Sequence, residues 1–231
     1  SNFSLINQIK SSIERISGSM SYHVQSEHGV DWGLSADVKN PVVILAAGAS
    51  SRMKRIEGVR EKVAEEVVSR PKAMLRVGAR DIPFLELLLK RIKKEGSNCA
   101  IVVIGENDQI TRQYFSSNPI DTFQIRYVVQ SIPQNRKKPL GTADAVETAL
   151  ISNTDLSHHN IVVCNGDNMP PEGSFNEIFK FNCAMLAYDS SKLGLPDDRV
   201  SAFAVVAIDS EGYLKQIVEK PLRKITPRFI Q

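Results

Sequence analysis

Cysteine is scarce in this chain. Cys99, Cys164 and Cys183 are odd in number and far apart, and no CxxC pair occurs. That excludes a disulfide framework and gives no sign of zinc or redox work, so the three are expected to be small buried hydrophobes of a reduced compartment. Long apolar runs are missing too. No stretch approaches the ~20 residues a bilayer span needs, and the N-terminus carries no signal-peptide core, so a cytoplasmic protein with no membrane partner is expected. A strong charge of one sign is also absent. The net charge of +3 and pI near 8.7 are mild, and the lysines and arginines are spread along the whole sequence. Nucleic acid is therefore not an expected partner, while a local basic site for a polyphosphate remains compatible. No internal repeat and no long low-complexity segment occurs.

What is present is an ordinary globular composition, 231 residues with 42% hydrophobic and 24% charged, enough for one large core or two small ones. Leu5, Ile6, Ile9, Ile13 and Ile16 recur at the spacing of a one-sided helix. Its apolar face suits docking on its own domain or a homo-oligomer contact. Residues 17 to 40 lose that pattern around the single Trp32, which predicts an arm over residues 1–40 ahead of a domain at 41–231. Past Pro41, short apolar runs alternate with amphipathic stretches. Strands are predicted at 42–46, 99–104, 124–129, 161–164, 183–189, 201–208 and 214–218, and helices at 83–95, 107–116, 142–152 and 174–180. IVVIG and IVVCN are apolar throughout, as strands covered on both faces are. The fold class is α/β with a mostly parallel, doubly wound sheet. Residues 54–69, with Val63, Val67 and Val68 on one side, read as a helix, either a mobile flap or a solvated surface helix.

Against that background, VVILAAGASSRM at 42–53 is distinctive. An apolar run of strand length breaks into small residues and ends on Arg52, which is how α/β proteins expose backbone N–H groups to phosphate. In an open parallel sheet, ligands gather at the carboxyl ends of the strands, which brings Gly48, Arg52 and Asp167 to one crevice. Lys72, expected on an extended segment beside Pro71, can reach the same place. The grouping suits a nucleoside triphosphate with Mg²⁺. Each residue alone has a plainer reading, Arg52 and Lys72 as surface charges and Asp167 as a turn residue after Gly166. His158 and His159, in a polar loop, read as surface residues.

Taken in order, LAAGASSRM, RPKAM (70–74), LGTADA (140–145), NGD (165–167) and EKP (219–221) resemble the motifs of the sugar-phosphate nucleotidyltransferases. The resemblance covers roughly residues 41 to 221. It implies a Rossmann-like, GT-A-like domain that condenses an NTP with a sugar 1-phosphate to give an NDP-sugar and pyrophosphate. On this footing Leu45, Ala46, Ala47 and Gly48 would contact the nucleotide through backbone amides. Arg52 would grip β/γ-phosphate oxygens, and Lys72 would stabilise the α-phosphate region in the transition state. Asp167 matches the metal-binding aspartate of the family, a hard oxygen ligand suited to Mg²⁺. Gln130 matches its base-contacting glutamine, and Gly141 with Thr142 lies where its LGT loop packs on base and ribose. Glu219 would accept hydrogen bonds from sugar hydroxyls, and Lys220 would face the sugar phosphate.

The departures are specific. Where the family commonly has GxGTR, this chain has GASSR, with Ser50 and Ser51 stiffer than glycine. SIPQNRKKP intervenes between Gln130 and Leu140, as a longer loop over the nucleotide or a solvated excursion. The resemblance also implies a second metal ligand, Asp or Asn, well downstream of EKP. The sequence ends ten residues after Pro221, so a domain truncated at its C-terminus is expected. Three functions follow: a uridylyl- or thymidylyltransferase for a hexose 1-phosphate, which EKP and LGTA favour; a cytidylyl- or guanylyltransferase of another phosphorylated alcohol; or a nucleotide-sugar-binding regulatory domain without turnover.

Overall fold

A computed structural model describes residues 38–48, 71–136, 139–189 and 203–219. The N-terminal helix, the segment at 54–69, Arg52 and Lys220 lie outside these residues.

Four apolar runs form one parallel sheet. They are β1 (Val42–Leu45), β4 (Cys99–Gly105), β5 (Gln124–Gln130) and β6 (Val162–Asn165), in the order β5-β4-β1-β6. Between β1 and β4 stand two short antiparallel strands, β2 (Arg76–Val77) and β3 (Ile82–Pro83), and the helix α1 (Phe84–Lys94). Helix α2 (Gln109–Ser117) joins β4 to β5, α3 (Thr142–Ile151) joins β5 to β6, and α4 (Ser174–Ile178) follows β6. The chain thus builds outward from β1 to β4 and β5, then returns to the other side of β1 for β6.

The period of two along each strand separates two cores. Val42, Ile44, Ala100, Val102 and Ile104 face Leu85, Leu88, Leu89 and Ile92 of α1, Phe115 of α2 and Phe175 of α4. Val43, Ile101, Val103 and Val128 face Ala145 and Ala149 of α3 on the other side. Positions 85, 88, 89 and 92 are the i, i+3, i+4, i+7 stripe of one helical face, and all four are fully buried. Each such burial contributes about 1.5–3 kcal/mol before entropy is counted. Helix α1 ends where Gly96 adopts φ 109°, which suits a residue without Cβ, and Ser97 N donates to Ile92 O at 3.2 Å. Helix α2 starts on Asp108, whose Oδ1 accepts from Thr111 N at 3.0 Å.

The doubly wound reading holds for this sheet, and the elements at 42, 83, 99, 107, 124, 142, 161 and 174 all form within a few residues of their expected bounds. Three expectations change. Residues 183–189 form no strand and are exposed, including Met185, Leu186 and Tyr188. The last two strands, β7 (Val205–Ile208) and β8 (Leu214–Val218), pair antiparallel in a two-stranded sheet of their own, so the parallel sheet has four strands. Cys183 is exposed, whereas Cys99 is buried and Cys164 half-buried. No helix among the described residues is long and apolar enough to cross a membrane.

Candidate active site

The site begins where β1 and β6 end. Leu45 and Asn165 are partners in the parallel ladder, and one residue further Gly166 N donates to Leu45 O at 2.9 Å. This lays the NGD turn against the LAAG loop. Contact is tight: a Cβ on Gly166 would stand 3.2 Å from both Ala46 Cβ and Leu45 O, so the neighbours would have to give by a few tenths of an ångström. Asp167, the next residue, is consequently delivered to the carboxyl end of the sheet, beside the point where the strand order reverses.

Lys72 meets it there. Its Nζ lies 3.2 Å from Asp167 Oδ2, with the lysine side chain one-third and the aspartate one-half exposed. Lys72 does not continue the extended backbone of Pro71. It opens a short 3-10 turn (Lys72–Met74) whose Ala73 and Met74 are buried in the core, so the apolar half of RPKAM anchors the charged half. Two motifs 95 residues apart in sequence are joined by this ion pair.

The loop after β1 needs a correction. Ala46 N donates to Val103 O at 2.9 Å and is spent in the sheet, so amides open to a ligand begin no earlier than Ala47. Gly48 is exposed at the end of the described part of this loop.

A second grouping lies at the end of β5. Gln130 is almost fully buried, and its Nε2 donates to Gly141 O at 2.8 Å and to Asp144 Oδ2 at 2.6 Å. Gln130, Gly141 and the start of α3 at Thr142 are therefore brought together. Asp144 is the residue that the motifs did not single out. Its signal was present, an acidic side chain in the first turn of the helix that the LGT loop opens, where the helix dipole also favours it. Gly141 sits at φ 135°, a conformation that side chains disfavour, so the glycine of this loop is required by its backbone.

Glu219 lies exposed just past β8, and among the described residues no hydrogen bond or ion pair joins it to Lys72 or Asp167. His158 is exposed as expected. His159 is half-buried instead, with its Nε2 3.0 Å from Val38 O and its Nδ1 buried without a partner. Burial pushes the Cys99 thiol up to about 11 and the Cys164 thiol to about 12, so neither is poised as a nucleophile. Among the described residues no three His, Cys, Asp or Glu side chains gather as a metal cage, and Asp167 stands as a single carboxylate.

The arrangement matches a known family over most of the chain. Residues 41–231 fit the family description "Nucleotidyl transferase". The chain belongs to this family. It is thus a nucleotidyltransferase, in agreement with the motif order. The chain is similar to D-glycero-alpha-D-manno-heptose 1-phosphate guanylyltransferase of Campylobacter jejuni, 24% identical over 185 residues, covering 79% of this chain and 69% of the relative. Among solved structures it resembles UDP-glucose pyrophosphorylase complexed with UDP-glucose, with TM-score 0.51, 17% identity, and coverage of 79% and 69% of the two chains. It also resembles the inositol-1-phosphate CTP transferase from T. maritima, with TM-score 0.51, 16% identity, and coverage of 80% and 65%. At these identities the two structural likenesses establish the α/β, GT-A-like fold of this nucleotidyltransferase.

Proposed function

We propose that this nucleotidyltransferase joins an NTP to a sugar 1-phosphate, releasing pyrophosphate and forming an NDP-sugar by in-line displacement at the α-phosphorus. The observation that carries the proposal is the ion pair of Lys72 and Asp167 at the carboxyl ends of β1 and β6. The reaction sets two anions against each other, so its main requirements are charge cancellation and alignment, with no obligatory general base. Lys72 supplies a mobile positive charge beside the α-phosphate. The amides from Ala47 onward, with Arg52, take the β- and γ-phosphates. Gln130, Gly141 and Thr142 receive the base and ribose at the β5 end, and Glu219 with Lys220 receives the sugar phosphate.

Asp167 fits Mg²⁺ as a single hard oxygen donor, because Mg²⁺ retains several waters and takes its remaining ligands from phosphates. Bound there, the ion would neutralise phosphate charge, and Lys72 would exchange its present carboxylate partner for substrate oxygens. A sugar phosphate substrate is supported by the heptose 1-phosphate guanylyltransferase among its relatives. The preference for UTP or dTTP gains no support, since the relatives' names cover guanylyl, CTP and UDP-glucose chemistry. A guanylyl- or cytidylyltransferase is an equally good reading of the base site.

The test is pyrophosphate release with Mg²⁺ across a panel of NTPs and sugar 1-phosphates. One pairing is expected to give stoichiometric pyrophosphate and NDP-sugar. No release with any pairing, together with measurable binding of an NDP-sugar, would reject the enzyme and favour a regulatory binding domain.

A further inference from the structure

The carboxamide of Gln130 has a fixed polarity. An amide nitrogen carries two protons, and here both are used inside the protein, by Asp144 Oδ2 and by the Gly141 carbonyl. Turning the amide over would bring Gln130 Oε1 against a carboxylate oxygen and a carbonyl oxygen with no proton between them. In a buried position that is strongly unfavourable. The two acceptors are themselves held. Asp144 stands in the first turn of α3, where Thr148 Oγ1 donates to its backbone O at 2.7 Å, and Gly141 O accepts from Ala145 N at 3.2 Å while its φ of 135° sets the loop's direction, so the backbone that carries both acceptors is fixed. Among the described residues no donor meets Gln130 Oε1, and this oxygen is not one of the buried atoms lacking a partner.

We infer that Asp144 is a positioning residue for base specificity: by holding the Gln130 amide with its oxygen outward, it makes the base site select an edge that presents an N–H donor. The inference rests on the reading of Gln130 as the base-contacting glutamine. An imino N–H of uracil or guanine, or an exocyclic amine of cytosine, adenine or guanine, satisfies Oε1. A keto oxygen placed there meets another acceptor and is rejected. Asp144 touches no base itself, and its effect travels through one amide.

The experiment compares the wild-type protein with Asp144→Ala and Asp144→Asn, measuring kcat and KM for ATP, CTP, GTP and UTP at saturating sugar 1-phosphate. In Asp144→Ala the amide keeps only the Gly141 acceptor, so its hold weakens and turning it over costs less. The kcat/KM ratio between the best and the next NTP is expected to fall about tenfold, through a higher KM for the best one with little change in kcat. Asparagine still offers Oδ1 to Gln130 Nε2, so Asp144→Asn should keep the ratio within about twofold of wild type. If the alanine variant does not fold, Asp144→Ser, whose hydroxyl is too short to replace Oδ2, is judged by the same ratio. An unchanged ratio in Asp144→Ala or its serine substitute, or a uniform rise of KM for all four nucleotides, would overturn the inference while leaving the function intact. A wild-type protein that transfers no NTP would overturn the function and this inference together.

Discussion

Gly166 shows how tightly single residues fix this site. Alanine there would bring a methyl to 3.2–3.3 Å from Leu45 O and Ala46, and an inner strand held on both sides has little room to give the few tenths of an ångström required. Gly166→Ala should cost about 1–3 kcal/mol in urea unfolding, as small-to-large changes in packed sites do, and should displace Asp167 enough to lower turnover. The thiols give a second check. With Cys99 buried, Cys164 half-buried and their thiols pushed up to about 11 and 12, alkylation at pH 8 should label only Cys183 rapidly in the native protein. Rapid native labelling of either other cysteine, measured by mass spectrometry, would contradict the packing. At this scale the sequence revealed the charged and glycine positions but not their partners. Lys72 and Asp167 were legible as motif residues, whereas the pairing of Gln130 with Asp144 depends on how a loop closes over a strand end. His159 was misjudged for the same reason, its partner Val38 being 121 residues away.

Among the elements, α4 depends on a side chain from elsewhere. Glu95, buried just past α1, accepts from Gly173 N at 2.9 Å and Phe175 N at 2.8 Å, and Arg91 Nε stands 3.6 Å from the same Oε1 that meets Gly173. A remote carboxylate thus caps the first turn of α4, the element that follows the Asp167 turn. Glu95→Ala should lower unfolding free energy by about 1–3 kcal/mol in urea, because buried amides lose their acceptor. Helix α1 holds α2 by a similar device. Burial alone would raise the Glu86 carboxyl, but hydrogen bonds from Lys90 and Tyr114 outweigh it and hold it below its ordinary value of 4.5. A depressed carboxyl contributes stability above its unfolded value, and that contribution is lost as pH falls through the folded value. Stability should therefore decline below about pH 4.5. In Glu86→Gln this part of the acid limb should be flatter, as read from thermal melts across pH; an identical acid limb would exclude the residue. The strands of the parallel sheet were legible because both faces are covered and the residues are continuously apolar. Residues 183–189 look similar in sequence yet lie exposed and form no strand, since apolar content predicts a strand only where a neighbour accepts its backbone. The two-residue strands β2 and β3 are too short for any periodicity to register.

For the molecule as a whole, the strand order β5-β4-β1-β6 determines where chemistry can happen. Helices α1 and α2 cover one face and α3 the other, and the strand order reverses between β1 and β6, where the loops that follow these two strands meet at the carboxyl end of the sheet. Lys72 and Asp167 meet there, and Gln130 with Gly141 stands at the far strand, so under the proposed function the nucleotide would span the sheet's carboxyl edge from β6 to β5. The fold class was legible because the order of strands, helices and glycine loops is a one-dimensional signal; the separation of the β7–β8 hairpin from the main sheet is a matter of long-range pairing that composition does not carry. The central claim is that nucleotidyl transfer takes place at Lys72 and Asp167, at the carboxyl ends of β1 and β6. It is tested most directly by measuring Mg²⁺-dependent pyrophosphate release for the wild-type protein beside Lys72→Ala and Asp167→Asn. Their ion pair is substantially exposed, so both variants should melt within about 0.5 kcal/mol of wild type. The account predicts folded variants whose turnover falls by about a hundredfold or more. Turnover within about twofold of wild type in both would contradict it.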